Sequence, residues 1–147
     1  MLHENIVVTL TTMYRVELQE KYIRDVNPYT KSWEMGDYPF WLWIAVHYKV
    51  RYLNDVTGVY RVLLNSASHS ASKEKQIQFI LSSYEIQLYF AEKYLPELYE
   101  SLSNKSSYYK SLLLACRKEY VEAIKKFFSV RNKTTFDCIR FVKNLLW

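Results

Sequence analysis

The chain has 147 residues, half of them apolar, a net charge of +5, and two cysteines. This length allows one domain with a single buried core, and the apolar content excludes a disordered chain. Two glycines and three prolines are too few for a fold built from many tight turns.

The first 72 residues predict a small front of two or three strands around one buried helix. The β-branched run at 6–12 predicts a strand, and a helix follows at about 15–26. A second helix, at about 38–48, is apolar nearly all round and is therefore expected to be buried on most sides. Short strands are predicted at 50–53 and 56–63, with a turn at Asn54 and Asp55 between them.

Residues 73–147 predict a helical bundle packed on that front. Ser72 caps a helix whose apolar stripe runs from Ile77 to Leu95, and Pro96 separates it from a short turn at 97–102. One further segment carries an apolar face from Leu113 to Phe127, and a last helix runs over about 134–147. The predicted fold class is therefore α+β, predominantly helical, with one part at 1–72 and a second at 73–147.

Cysteine usage and hydropathy give the expected compartment. Neither Cys116 nor Cys138 has a Cys or His neighbour at metal-ligand spacing, which favours free thiols in a reducing compartment. The N-terminus lacks the basic and apolar regions of a signal peptide, and no apolar run approaches the length of a bilayer span. We expect a cytoplasmic protein, soluble or peripheral on the inner face of the membrane.

Asp37 is the main candidate for chemistry. It follows Gly36 and precedes the apolar helix, so its carboxylate either caps the free N–H groups of the first turn or acts as a general base toward a hydroxyl. The two roles are compatible with each other, and the residues alone do not separate them.

Three other side chains each allow two interpretations. Arg61 is either a charge on a strand edge or a clamp for phosphate or carboxylate. His69, among serines, is either a polar loop residue or an acid-base group. Trp33 either stacks on a sugar or packs in the core.

The positive charge lies in the C-terminal part of the chain. Residues 105–147 carry ten Lys and Arg against three acidic residues, whereas residues 1–104 carry ten against twelve. This charge is either a solvated face or a contact with an anionic membrane surface through Lys118, Lys125 and Lys126. No nucleic-acid-binding motif accompanies it, so we expect no nucleic-acid partner.

Several ordered motifs resemble the C-terminal half of bacterial family 2 glycosyltransferases. The matching positions lie within about residues 5–72, at 10–15, 33–42, 56–62 and 65–69. The central one reads Trp33-x-Met35-Gly36-Asp37-Tyr38-Pro39-x-Trp41-Leu42, and the next ends in Val59-Tyr60-Arg61-Val62. The resemblance implies part of a GT-A domain, in enzymes that use nucleotide sugars to make surface polysaccharides or lipopolysaccharides.

The resemblance also implies roles for individual residues. Asp37 matches the presumed base that activates the acceptor hydroxyl in an inverting transfer. Tyr60 and Arg61 match a pair beside the active site, where the arginine helps to hold the donor diphosphate. Many members have a histidine two residues after that arginine, but this chain has Leu63 there; His69 is a weak substitute.

The family's nucleotide-binding half has no counterpart in this sequence. There is no Asp-x-Asp motif for the metal and nucleotide, so no metal ligand is expected in this chain, and Mg²⁺ or Mn²⁺ is expected only with a donor domain. We therefore expect an acceptor-side fragment that is inactive alone, with self-association favoured by the uncovered apolar face. The alternative is a non-catalytic helical interaction module or a peripheral membrane-docking module.

Overall fold

A computed structural model describes residues 2, 5–59 and 72–146. The regular secondary structure of these residues is entirely helical, without a β-strand. The prediction of a two- to three-stranded front is therefore wrong, and the described residues do not form the strand-bearing part of a GT-A domain. The six α-helices are α1 (Val16–Val26), α2 (Tyr38–His47), α3 (Lys73–Tyr94), α4 (Pro96–Cys116), α5 (Tyr120–Ser129) and α6 (Thr135–Leu146).

The expected strand at 6–12 is replaced by a single 3₁₀ turn, Thr9–Thr11. The threonine hydroxyls explain this difference, because Thr11 Oγ1 donates to the Val8 carbonyl and Thr12 Oγ1 to the Thr9 carbonyl. Such local side-chain bonds offer the backbone an alternative to a strand ladder. The expected strands at 50–53 and 56–59 are also absent, and residues 60–63 lie outside the described part of the chain.

The helices with clear end signals lie where they were predicted. The prediction at about 15–26 corresponds to α1, the one at about 38–48 to α2, and the one at about 134–147 to α6. A capping box begins α6: Thr134 Oγ1 accepts from the Asp137 backbone N–H, and the Asp137 carboxylate accepts from the Thr134 N–H.

The boundaries between 96 and 129 differ from the prediction. Pro96 begins a helix of 21 residues, α4, rather than a short turn, and the apolar face expected from Leu113 to Phe127 is divided between α4 and α5. The break lies at Lys118, whose φ of 64° is left-handed. The Lys118 and Glu119 N–H groups bond back to the carbonyls of Ala115 and Leu114, which ends α4.

Helix α3 connects two clusters of buried side chains. Its 22 residues span about 33 Å, long enough to reach both. Ile86 and Phe90 belong to the first cluster, with residues of α1 and α2. Ile77 and Leu81 belong to the second, with residues of α4, α5 and α6. The candidate site lies at the edge of the first cluster, where α2 begins.

Ser82 attaches the loop before α2 to α3. Its buried hydroxyl accepts a hydrogen bond of 2.7 Å from the Glu34 backbone N–H. We expect Ser82→Ala to lower the free energy of unfolding by about 1–3 kcal/mol, because that N–H then loses its partner in a half-buried position. Urea unfolding measures the change. Ser101→Ala, at an exposed position of α4, is the control and should stay within about 0.5 kcal/mol; equal effects of both changes would contradict the prediction.

Candidate functional site

Asp37 caps α2 in an unusual way. A typical N-cap residue has an extended backbone, and its side chain accepts from the second or third residue of the helix. Asp37 has φ −88° and ψ −40°, in the helical region, and its Oδ1 accepts a bond of 2.8 Å from the Tyr38 N–H, the first residue. The predicted capping contact is therefore present, in a geometry that also leaves the carboxylate partly exposed.

A second hydrogen bond reaches the carboxylate from a distant part of the chain. Thr9 Oγ1 donates to Asp37 Oδ2 at 2.7 Å, and Trp41 Nε1 in turn donates to Thr9 Oγ1 at 3.2 Å. Trp41 is buried and belongs to α2, so the threonine hydroxyl is oriented by a rigid element. The two bonds hold both carboxylate oxygens in fixed directions.

The carboxylate keeps capacity for another ligand. An ionised carboxylate has about four acceptor positions, and among the described residues the bonds from Thr9 and Tyr38 use one on each oxygen. Because the side chain is half-buried rather than sealed, a hydroxyl from outside can reach a free position. The arrangement suits a group that accepts a proton from, or orients, an incoming hydroxyl.

Aromatic rings pack against the first turn of α2, next to Asp37 in the chain. The ring of Tyr14 packs edge-on against Phe40 and Trp41, with centroids 4.8 and 5.6 Å away. The Tyr38 hydroxyl donates to the Leu2 carbonyl, and burial raises the pKa of Tyr38 to about 12. Tyr38 therefore stays neutral at physiological pH and has a structural role beside the carboxylate.

Two irregular segments lie near the carboxylate and leave apolar side chains uncovered. The chain at Gly58 lies against the 3₁₀ turn that carries Thr9: a Cβ at Gly58 would stand 2.6 Å from Leu10 Cδ1. Met13 is 93% exposed and Val56 99% exposed. Further exposed apolar residues of these two segments are Ile6, Val8, Leu10, Val50, Leu53 and Val59.

Trp33, in the loop before α2, packs against α3. Its indole meets the Tyr89 ring edge-on at 5.4 Å and is half-buried at the margin of the first cluster. This environment favours the packing interpretation, and sugar binding by Trp33 stays a prediction.

The other predicted site residues, Tyr60, Arg61 and His69, lie outside the described residues. Two contributors were not predicted as site residues: Thr9, which was assigned to a strand, and Trp41, which lies in the helix that was expected to be buried. No local pattern relates Thr9 to a carboxylate 28 positions later.

His47, at the end of α2, has a structural environment. Its Nδ1 is 2.8 Å from the Trp43 carbonyl oxygen, and its Nε2 is 3.4 Å from the Tyr94 hydroxyl. The ring therefore contacts a carbonyl of its own helix and also connects α2 to α3.

A polar groove of about 620 Å³ lies elsewhere, between α4 and the connection from α5 to α6. Several of its polar side chains already bond to each other, including Arg131 to Glu100 and Thr134 to Asp137. Within residues 5–59 and 72–146, no three His, Cys, Asp or Glu side chains form a group suited to a metal ion. We therefore assign no metal ligand to this part of the chain.

Comparison with known proteins finds no matching protein family, curated protein or solved structure. Among the described helices, none combines the length and the apolar character needed to cross a bilayer.

Proposed function

We propose that this chain supplies the acceptor side of a sugar-transfer site, with Asp37 as the general base. The observation that carries the proposal is the half-exposed Asp37 carboxylate, which Thr9 and the start of α2 hold from two directions. A carboxylate that serves only as a cap needs no hydroxyl from 28 residues earlier in the chain. The motifs that surround Asp37 in the sequence support the same interpretation.

The proposed reaction is a direct displacement at the anomeric carbon of a nucleotide sugar. An Asp37 oxygen takes the proton of the acceptor hydroxyl, and that hydroxyl oxygen forms a bond to the anomeric carbon. The bond from the anomeric carbon to the diphosphate oxygen breaks, and its electron pair leaves with the nucleoside diphosphate. Configuration at the anomeric carbon is inverted. In this proposal, Arg61 lies beside the diphosphate and offsets its charge.

The donor must be bound by another domain. The sequence contains no Asp-x-Asp motif, and the exposed apolar residues at 6–13 and 50–59 offer a surface beside Asp37 for such a domain. Monomeric proteins rarely leave a large contiguous apolar surface uncovered. The products expected from the complete enzyme are glycans or lipid-linked glycans of a bacterial surface polysaccharide.

We expect the isolated chain to transfer no sugar, and the chain joined to a donor-binding domain with an Asp-x-Asp motif to do so. The assay follows nucleoside diphosphate released from a panel of UDP- and GDP-sugars in the presence of Mn²⁺ and alkyl glycosides as acceptors. The donor domain alone is the control. Transfer by the isolated chain, or equal release with and without this chain, would contradict the proposal.

A further inference from the structure

The polar groove between α4 and the connection from α5 to α6 has the size of a ligand site. Its volume of about 620 Å³ falls within the range of about 300–1,000 Å³ that is usual for small-molecule sites. The groove extends along α4 from Glu97 to Tyr109, which corresponds to about 18 Å of helix. Tyr84 of α3 and Arg140 of α6 also line it, so side chains from three helices converge on the same space.

Several charged groups of the groove already have partners. Arg131 and Glu100 form an ion pair of 2.6 Å, which fixes the connection against α4. The Lys133 ammonium group donates to two backbone carbonyls that precede it in the chain. Asp137 belongs to the capping box of α6, where its Oδ2 accepts from a backbone N–H and a hydroxyl. These charges therefore serve the fold of the groove.

The remaining cations surround Tyr109. Lys105 lies one turn before Tyr109 on α4, so the two side chains are neighbours on the helix surface. The guanidinium carbon of Arg140 is 5.8 Å from the centroid of the Tyr109 ring, and the Tyr84 ring is 5.5 Å from it. We call Tyr84, Lys105, Tyr108, Tyr109 and Arg140 the basic end of the groove.

Neither cation of the basic end is paired within residues 5–59 and 72–146. The Lys105 and Arg140 side chains are exposed and form no ion pair with a described carboxylate. Asp137, one turn before Arg140 on α6, is engaged in the capping box instead. Because the guanidinium lies over the Tyr109 ring, the N–H groups at its edge remain available for two parallel bonds to a phosphate.

Tyr108 adds a buried donor to the basic end. Its side chain lines the groove and is 7% exposed, and its hydroxyl has no hydrogen-bond partner in the described part of the chain. Burial raises the pKa of Tyr108 to about 12 against the opposing effect of the Arg140 charge, so the hydroxyl stays protonated at physiological pH. Buried hydroxyls usually have a partner. An anionic oxygen drawn to Arg140 would supply the acceptor.

We infer that the basic end of the groove binds the phosphate group of a small hydroxyl-bearing molecule. A phosphate monoester has three acceptor oxygens and a charge of about −2, so it can engage both cations at once. A carboxylate has two oxygens and a single charge. The rest of the molecule lies toward Glu97, Ser101 and Asn104, whose polar groups suit hydroxyls. This inference does not depend on sugar transfer, since it involves neither Asp37 nor α2.

The test is an NMR titration of the ¹⁵N-labelled chain with glucose 6-phosphate, glucuronate, glucose and inorganic phosphate. We expect glucose 6-phosphate to shift the amide signals of the basic end. It should bind about ten-fold more tightly than glucuronate, which has a carboxylate in place of the phosphate-bearing group. It should also bind at least about three-fold more tightly than inorganic phosphate, because only the ester places hydroxyls along α4. Glucose should cause no shift.

Three variants test the basic end, each with a matched control. We expect Arg140→Gln and Lys105→Gln each to weaken glucose 6-phosphate binding by about ten-fold or more, because each removes a charge-assisted bond. The controls are Arg24→Gln and Lys110→Gln, which change exposed cations outside the groove and should leave binding unchanged. Circular dichroism should show that all four variants fold.

Tyr108→Phe separates ligand binding from a structural role. We expect it to weaken glucose 6-phosphate binding by about three-fold or more. Its urea midpoint should stay the same or rise, because the hydroxyl has no partner among the described residues. Tyr120→Phe, at an exposed position of α5 outside the groove, is the control and should bind as the unchanged chain does.

Three outcomes would overturn the inference. The first is the absence of amide shifts at the basic end on addition of glucose 6-phosphate. The second is equal affinity for glucose 6-phosphate and for either glucuronate or inorganic phosphate, which would leave an unspecific attraction of anions. Equal effects of the test variants and their controls would be the third.

Discussion

Replacing Asp37 by asparagine will lower kcat for sugar transfer by about 10²- to 10⁴-fold, the range that a general base contributes. The measurement uses the chain joined to a donor-binding domain. Asparagine keeps an oxygen that can accept from the Tyr38 N–H, and it is as good an N-cap residue as aspartate. The free energy of unfolding should therefore change by less than about 1 kcal/mol.

Two variants make this result specific. Asp37→Ser also keeps a capping oxygen and loses the base, so it should lose activity in the same way. Asp25→Asn removes an exposed carboxylate from α1 and should leave kcat unchanged. If Asp37→Asn keeps kcat within about three-fold, Asp37 is only a cap, and the proposed function loses the observation that carries it.

Replacing Trp43 by alanine should have the largest effect on stability, a loss of about 3–5 kcal/mol. Trp43 is 2% exposed and lies among the rings of Tyr22, Phe40, His47 and Tyr48. Removing the indole leaves a cavity where α1, α2 and α3 meet. Since whole domains are stable by about 5–15 kcal/mol, this change alone removes a large fraction.

Trp43→Phe separates packing from hydrogen bonding. The indole Nε1 is buried and has no partner within the described residues, so phenylalanine loses no hydrogen bond and leaves a smaller cavity. We expect a loss of about 1–2 kcal/mol. Urea unfolding followed by circular dichroism at 222 nm measures both variants, because fluorescence would change with the indole itself. Equal losses for alanine and phenylalanine would show that the N–H group has a partner after all.

The helices were predictable where local chemistry specifies their ends. Pro28 follows α1, Asp37 and Pro39 begin α2, and Thr134 with Asp137 begins α6. These signals act within three or four residues, so the sequence alone contains them.

The division between α4 and α5 was not predictable in the same way. The residue in the left-handed conformation is Lys118, whereas glycine is the residue whose presence signals such an end. Helix α4 also buries small polar residues, Ser106 and Ser111, so its inner side lacks the apolar repeat that marked the other helices. Packing between α4 and its neighbours decides these boundaries.

The strand predictions were wrong for a related reason. β-branched residues favour strands only where a partner strand and a covering layer exist. In residues 6–12 the threonine hydroxyls bond to nearby carbonyls instead, and a 3₁₀ turn forms. This turn places the Thr9 hydroxyl against the Asp37 carboxylate. Because residues 6–12 were predicted to be a strand, Thr9 was not predicted to belong to the candidate site.

The sequence by itself determined the apolar helix α2, the aspartate at its start, and the basic C-terminal part, because each depends on residues close together in the chain. The tertiary structure alone decided that Thr9 and Trp41 orient that aspartate and that α3 joins two buried clusters. It also decided which apolar residues of α5 and α6 remain outside. These features depend on contacts between distant residues, and only the packed arrangement of the helices brings those residues together.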